Sequence, residues 1–454
     1  MTKKILLNSL FFTLLILFTI SSSNAYDPQW KENQQAMFQE INLKPGDVIG
    51  KDNWEKIKGL VPADMEKWVK SGKVIINIGS FKYDASSDDE WDQYGLKHNK
   101  GKYTLHDNGN VIETATGDFP KWVYGYPFPD IDLKKDPYAG IKLSHNRDIN
   151  RGRDGIFKGP FTVEWIGRKG FERVISNNYY RYNFWGTKQT ENDGNASGML
   201  FMEATVVVAP YDVAGTAQLT YRKTDGSEDQ LYVYIPAIRR TKRMSGANRS
   251  DPFMGSDFTI DDGNGWLGHT SAMKWKYLEE RTGLMCIAKF CTESYTMMGQ
   301  ESDGRWKAVT DVPGIKTGWQ VKNGHTQASW SPVTSVWVPR KFHVIEAKPK
   351  DPYYNMGKME FWLDKKTLWT QYKLMWDIAG EYWKTGSFMC QFMKWGNNVT
   401  QSSNMHLFYD NKTDHATVLR SSGKNIFGRD LFYEINIPNN KDQYTVGRLG
   451  TWTK

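Results

Sequence analysis

LWTQYKLMWD, residues 368–377, carries large apolar side chains on both faces when it is written as a strand. Leu368, Thr370, Tyr372, Leu374 and Trp376 fall on one face, and Trp369, Gln371, Lys373 and Met375 on the other. A half-solvated sheet strand has one apolar face only. This pattern therefore suits a sheet that is covered on one side and curved around something on the other. Residues 358–364 and the turn Lys365-Lys366-Thr367 complete a hairpin with it.

The same period recurs along the chain. Residues 217–222 lead through Thr224-Asp225-Gly226-Ser227 to residues 230–235, where Leu231, Val233 and Ile235 share one face and Tyr232 and Tyr234 the other. Residues 342–347 read as a strand, and 405–410 with 415–419 as a third hairpin through Asn411-Lys412-Thr413. Helical patterns are few. One starts at Pro62 and stops at Gly72, and residues 270–281 form one amphipathic candidate. The fold class is mainly β (α+β): a large curved antiparallel sheet forming an incomplete barrel, with a few covering helices. Residues 26–153 form a helical and irregular N-terminal part and 154–454 the half-barrel, together one domain; 126–153, rich in Pro, Gly and Asp, reads as an ordered connector.

Lys3 and Lys4 precede an apolar run over 5–20, and Ser23-Asn24-Ala25 closes it with small residues. That is the layout of a signal peptide cleaved after about Ala25, which places the mature chain in the periplasm. Loss of Lys3 and Lys4 lowers the formal charge from +8 to +6. Acidic residues are interleaved throughout, and an exported protein meets little nucleic acid, so no nucleic-acid partner is expected. No later run is long enough to span a bilayer, so no stable membrane insertion is expected either. The three cysteines, Cys286, Cys291 and Cys390, leave an odd thiol; a structural bridge and plain buried thiols both fit.

Catalytic motifs are missing. Gly263-Asn264-Gly265-Trp266-Leu267-Gly268 matches GxGxxG, but it follows Asp261-Asp262 rather than a buried strand opening a βαβ unit, and it reads as a glycine-rich turn. The eight histidines (His98, His106, His145, His269, His325, His343, His406 and His415) have no metal-ligand spacing. No catalytic residue, metal or cofactor is assigned. The 19 Trp, 23 Tyr and 22 Phe either fill a bulky core or line a cavity or a sugar-binding platform.

Several stretches resemble an uncharacterised family of exported bacterial proteins, domain of unknown function 1329. They are residues 43–49 (LKPGDVI), 125–129 (GYPFP), 136–140 (DPYAG), 234–258 with SDPFMGSDF at its centre, 344–350 (VIEAKPK) and 352–354 (PYY). The resemblance implies a fold like the periplasmic lipoprotein carriers of the Lol pathway, incomplete antiparallel barrels whose concave face holds acyl chains. It also implies a carrier for a hydrophobic or amphiphilic molecule, working with an envelope transporter or outer-membrane component.

Residues 234–258, YIPAIRRTKRMSGANRSDPFMGSDF, place basic groups at a strand end. Arg239, Arg240, Arg243 and Arg249 could meet an anionic headgroup at a cavity mouth; alternatively Asp251 and Asp257 are their partners and fix the loop. Tyr232, Tyr234, Trp362 and Trp369 are the candidate cavity lining. A carrier of a long acyl chain needs an apolar cavity of matching size, a glycan binder needs exposed coplanar indoles, and a hydrolase needs a histidine, a carboxylate and a nucleophile in one place.

Overall fold

A computed structural model describes residues 29–86, 89–244, 249–308, 313–321 and 324–452. The expected signal peptide, residues 1–25, lies outside the described residues.

The main sheet has sixteen strands. In chain order they are β1 (Ile156–Gly167), β2 (Gly170–Asn183), β3 (Met199–Ala209), β4 (Ala217–Lys223), β5 (Gln230–Ile235) and β6 (Arg240–Met244). Then come β7 (Met273–Ala288), β8 (Thr296–Gln300), β9 (Trp306–Ala308), β10 (Ser335–Pro349) and β11 (Met356–Asp364). The last are β12 (Thr370–Asp377), β13 (Tyr382–Trp395), β14 (Asn398–Asp410), β15 (His415–Arg420) and β16 (Glu434–Ile435).

From β6 the order runs back through β5, β4, β3 and β2 to β1, all antiparallel. β1 then meets β15, and the sheet continues through β14, β13, β12, β11 and β10 to β7. The short strands β8, β9 and β16 lead from β13 back to β1, closing a seven-stranded barrel within the larger sheet. The closure is not continuous. β15 pairs with β1 from Thr162 to Ile166 and β16 pairs only at Lys158, so residues 159–161 have no partner on that edge. Pro160, which has no N–H to donate, lies in this interval.

The stretch at 368–377 departs from simple alternation at one point. Leu363 pairs with Thr370 but Trp362 pairs with Tyr372, so Gln371 is the extra residue of a β-bulge. The bulge puts Thr370 on the same side as Lys373 and reverses it relative to Tyr372. Thr370 Oγ1 accepts from Arg147 Nε at 3.1 Å, and Lys373 Nζ donates to Asp262. Tyr372 points the other way, into the cluster of Leu284, Phe342 and Trp362, and its hydroxyl donates to the Leu284 carbonyl.

Each side of the sheet has its own cover. Helices α1 (Trp30–Ile41) and α2 (Ala63–Lys70) pack their apolar residues on one side, where Met65, Trp68 and Val69 join the largest core cluster. α2 follows Pro62, has Asp64 and Glu66 in its first turn and Lys67 and Lys70 in its last, and ends before Gly72 at φ +77°. On the opposite side lie helix α3 (Asp89–His98), helix α4 (Ala139–Asn150) and the segment 259–268, with Leu143, Trp266 and Phe361 in one cluster.

Residues 270–281 do not form the expected helix. Residues 270–272 form a 3-10 turn and 273–281 begin β7, which pairs with β10 over its whole length. Helical and strand periods both fit this short amphipathic run, and the long ladder with β10 decides between them. All three cysteines are free and buried, with Cys390 Sγ accepting from Gln401 Nε2 at 3.3 Å.

Lys373 and Asp262 are fully buried as a pair beneath Trp266 and Phe361. Asp262→Ala strands the ammonium and should lower the unfolding free energy by about 3–5 kcal/mol, whereas Lys373→Met combined with Asp262→Leu should cost far less. Urea denaturation of the three proteins checks this.

Candidate functional site: a polar and aromatic chamber inside the barrel

α4 ends in a single 3-10 turn, Arg151–Asp154, before the chain enters β1. The reversal is tight: a Cβ on Gly152 would lie 2.0 Å from the Trp185 carbonyl oxygen, so only glycine fits. This turn places Arg147, Arg151 and Asp154 on the inner side of the sheet. Arg147 is fixed there by Asp148 at 2.7 Å and by the Trp266 and Asn264 carbonyls.

Two small chambers meet at Arg151 and Leu267. The larger, about 150 Å³, has an aromatic wall of Phe157, Phe161, Tyr179, Trp369 and Tyr433. The smaller, about 60 Å³, is flanked by Arg181, Arg222, His145 and His269. A third, outer hollow of about 430 Å³ shares Pro160 and Phe161 with the larger chamber, at the unpaired interval of β1. The exposed Phe427 and Val208 stand on its rim. The two-stranded hairpin of Gly423–Lys424 and Asp430–Leu431 supplies its far side.

The larger chamber collects buried polar atoms without hydrogen-bond partners: both ring nitrogens of His406, Gln401 Oε1, Ser402 Oγ and Arg151 Nε. Buried polar groups in folded proteins are nearly always satisfied, so these atoms mark a place where something other than protein completes the bonding. Burial, and then Arg151, push His406 down to about 3, so its ring is neutral. Burial pushes the Asp154 carboxyl up to about 7 against the pull of Arg153. Tyr433 donates to its Oδ2 at 3.4 Å.

Trp362 lies in the core with its indole donating to Glu360 at 2.9 Å and Arg281 over its ring. Trp369 alone of the four expected lining residues reaches the chamber, its indole donating to the Phe388 carbonyl at 2.7 Å. Tyr232 and Tyr234 are half-buried on β5, away from the chambers, beside Tyr221 and Gly450. Neither chamber reaches the roughly 300–1,000 Å³ of ordinary ligand sites, so neither alone is the expected cavity of long-acyl size.

The basic cluster divides. Arg239, Arg240 and Arg243, with Lys242, are exposed on or beside the edge strand β6. Arg249 is buried and bonds Asp229 at 2.5 Å, Asp261 at 2.6 Å and the Leu267 carbonyl at 3.0 Å. Asp251 instead accepts from Asn355 at 3.0 Å, and Asp257 accepts from Thr417 at 2.7 Å and faces His415 at 2.6 Å. Neither aspartate meets an arginine of the cluster.

A family model, a protein of unknown function (DUF1329), matches residues 48–449. The chain belongs to this DUF1329 family. Among solved structures, a domain from Vibrio parahaemolyticus described as an outer-membrane lipoprotein-sorting protein domain is 16% identical, with a TM-score of 0.47, covering 69% of this chain and 100% of its own. A DUF1329 protein from Desulfovibrio piger is 16% identical with a TM-score of 0.45, over 69% and 100%. A LolA-superfamily protein from Nitrosomonas europaea is 10% identical with a TM-score of 0.37, over 66% and 97%. No curated protein matches the chain. Among the described residues no helix is long and apolar enough to cross a membrane, and no group of three His, Cys, Asp or Glu could hold a metal ion.

Asp154 gives this site a pH signature. Its carboxyl titrates near 7 in the fold against 3.8 ordinarily, so ionising it costs stability. The loss sets in as pH rises from about 4, is complete above about 7, and reaches at most about 4 kcal/mol. Asp154→Asn should therefore stabilise the protein at pH 8 much more than at pH 5. Denaturant unfolding at the two pH values checks it, and an equal effect at both would contradict the assignment.

Proposed function

We propose that this DUF1329 protein is an exported binding protein that takes an amphiphilic small molecule into the barrel chamber and hands it on within the cell envelope. The observation that carries this reading is the chamber itself, which combines an aromatic wall with partnerless polar atoms. The outer hollow at residues 159–161 supports a route in, because it shares Pro160 and Phe161 with the chamber.

Size limits the cargo. A cavity of about 150 Å³ is known to hold a benzene-sized body, so the buried part of the ligand is about one ring or a short branched chain. A longer apolar tail would extend into the outer hollow, where each buried methylene adds roughly 0.8 kcal/mol. The reading needs no catalytic step. An envelope transporter or outer-membrane component as recipient is part of the same proposal.

The two rival readings have less behind them. No tryptophan among the described residues is exposed, so no pair of indoles offers a sugar platform. Among the described residues no histidine nitrogen bonds a Ser, Thr or Cys side chain. His415 faces two carboxylates, Asp257 at 2.6 Å and Glu172 at 3.3 Å, and His269 faces Asp229 at 2.8 Å.

The test is native mass spectrometry of protein purified from its own envelope fraction, followed by titration with the neutral fluorophore N-phenyl-1-naphthylamine. A co-purifying amphiphile or a saturable fluorescence rise is expected. Ser402→Phe, which drives a ring into the chamber from a residue with an unbonded hydroxyl, should weaken the titration about tenfold or more. Absence of both signals, or an unaltered titration in Ser402→Phe, argues against the chamber as the binding site.

A further inference from the structure

The arginines around the chambers are not alike. Arg147 pairs with Asp148 at 2.7 Å, Arg181 with Glu203 at 3.5 Å, and Arg222 with Asp229 at 2.7 Å. Arg249 has both Asp229 and Asp261. Arg151 lines both chambers and forms no ion pair among the described residues. Its one hydrogen bond is from Nη1 to the Trp266 carbonyl at 3.3 Å, and its Nε has no partner.

The acids nearby are otherwise engaged. Asp148 holds Arg147 and also accepts from Thr270 at 2.5 Å. Glu203 accepts from Tyr179 at 2.5 Å as well as from Arg181. Asp154 faces the same chamber, and Arg153 and Arg151 both act on it. Burial outweighs them and pushes its carboxyl up to about 7, so it forms no full counter-charge at neutral pH, and its hydrogen bonds come from Tyr433 and Thr400. Burial and Arg181 bring Arg151 down to about 10, which still leaves it charged at neutral pH. A buried cation without a counter-charge is costly, and a bound anion removes that cost.

Resting on the binding reading above, we propose that the ligand is a monoanionic amphiphile, a carboxylate or sulfonate, whose headgroup is held by Arg151 and whose ring-sized apolar part lies against Phe157, Phe161 and Trp369. One surplus positive charge matches one negative charge. A phosphate dianion would need a second unpaired cation, and a cationic ligand would meet Arg151 as a like charge. The planar guanidinium suits the two oxygens of a carboxylate or two of a sulfonate. The neutral His406 ring and the Ser402 hydroxyl, both without protein partners, complete the polar end. Phe161 is shared with the outer hollow, so the headgroup lies inward and the apolar end toward the opening.

The experiment compares 4-butylbenzoate with 4-butylbenzamide, equal in shape and different in charge, by displacement of N-phenyl-1-naphthylamine from the full chain. The benzoate should bind about tenfold tighter or more. In Arg151→Gln that preference should vanish while the amide binds as before, and Arg151→Lys should retain part of it. A second readout needs no ligand: removing an unpaired buried charge should raise the melting temperature of Arg151→Gln above that of the native protein. The benzoate should raise the native melting temperature and leave that of the variant unchanged. Equal binding of benzoate and amide to the native protein overturns the headgroup assignment and leaves the binding reading standing. Failure of both ligands to displace the probe overturns the two together, and a preference that survives in Arg151→Gln moves the headgroup away from Arg151.

Discussion

Charge that has left water must find a partner, and this requirement organises the inner side of the sheet. Asp229 accepts from Arg222 at 2.7 Å, Arg249 at 2.5 Å and sits 2.8 Å from His269. Asp261 takes Arg249 and the Tyr354 hydroxyl, and Asp262 takes Lys373 and the Thr259 amide. Although burial alone would push the Asp229 carboxyl up, Arg222 and Arg249 hold it well below the usual range. The segment 249–268 is thereby tied at several points to β4, β5 and β12. With the segment fixed, Leu267 lines both chambers and the Trp266 carbonyl is available to both Arg147 and Arg151.

Much of the sheet was legible because its signals are local. The hairpins β4–β5, β11–β12 and β14–β15 rest on alternating side chains around short polar turns; β4–β5 and β14–β15 pair in unbroken register, and β11–β12 pairs with two register shifts. The reading failed where a contact distant in sequence decided the outcome. Residues 270–281 fit a helix until β10, some sixty residues on, supplies a ladder. In 368–377 the alternation is right on each side of Gln371 but reverses across it, because a bulge leaves no mark in the residue types.

The candidate site was legible only in fragments. Trp369 lines the chamber, and Trp362, Tyr232 and Tyr234 do not; as residue types they look equivalent, but Trp369 lies just before β12, beside the bulge at Gln371. The residues that matter most come from the 3-10 turn after α4, from β14 and from the segment around Leu267. The Arg151-Gly152-Arg153-Asp154 run lies at the boundary between the connector read at 126–153 and the half-barrel, and nothing local distinguishes a paired arginine from an unpaired one. The basic run at 239–249 drew attention by density. Density on an edge strand also serves to keep sheets from joining edge to edge, and the exposure of β6 fits that ordinary role.

The break in the wall at residues 159–161 has an energetic meaning for motion. The flap beside it, Gly423–Lys424 against Asp430–Leu431, is a two-residue ladder attached to the ends of β15 and β16, not a member of the barrel. Swinging it aside breaks a few hydrogen bonds and uncovers little core, so its opening free energy sits far below that of global unfolding. If the chamber binds as proposed, a ligand would pass the wall here while the barrel stays intact. On the binding reading proposed above, such a weak hinge would let a bound molecule leave without a wider cavity, since the softness is confined to one corner of the fold.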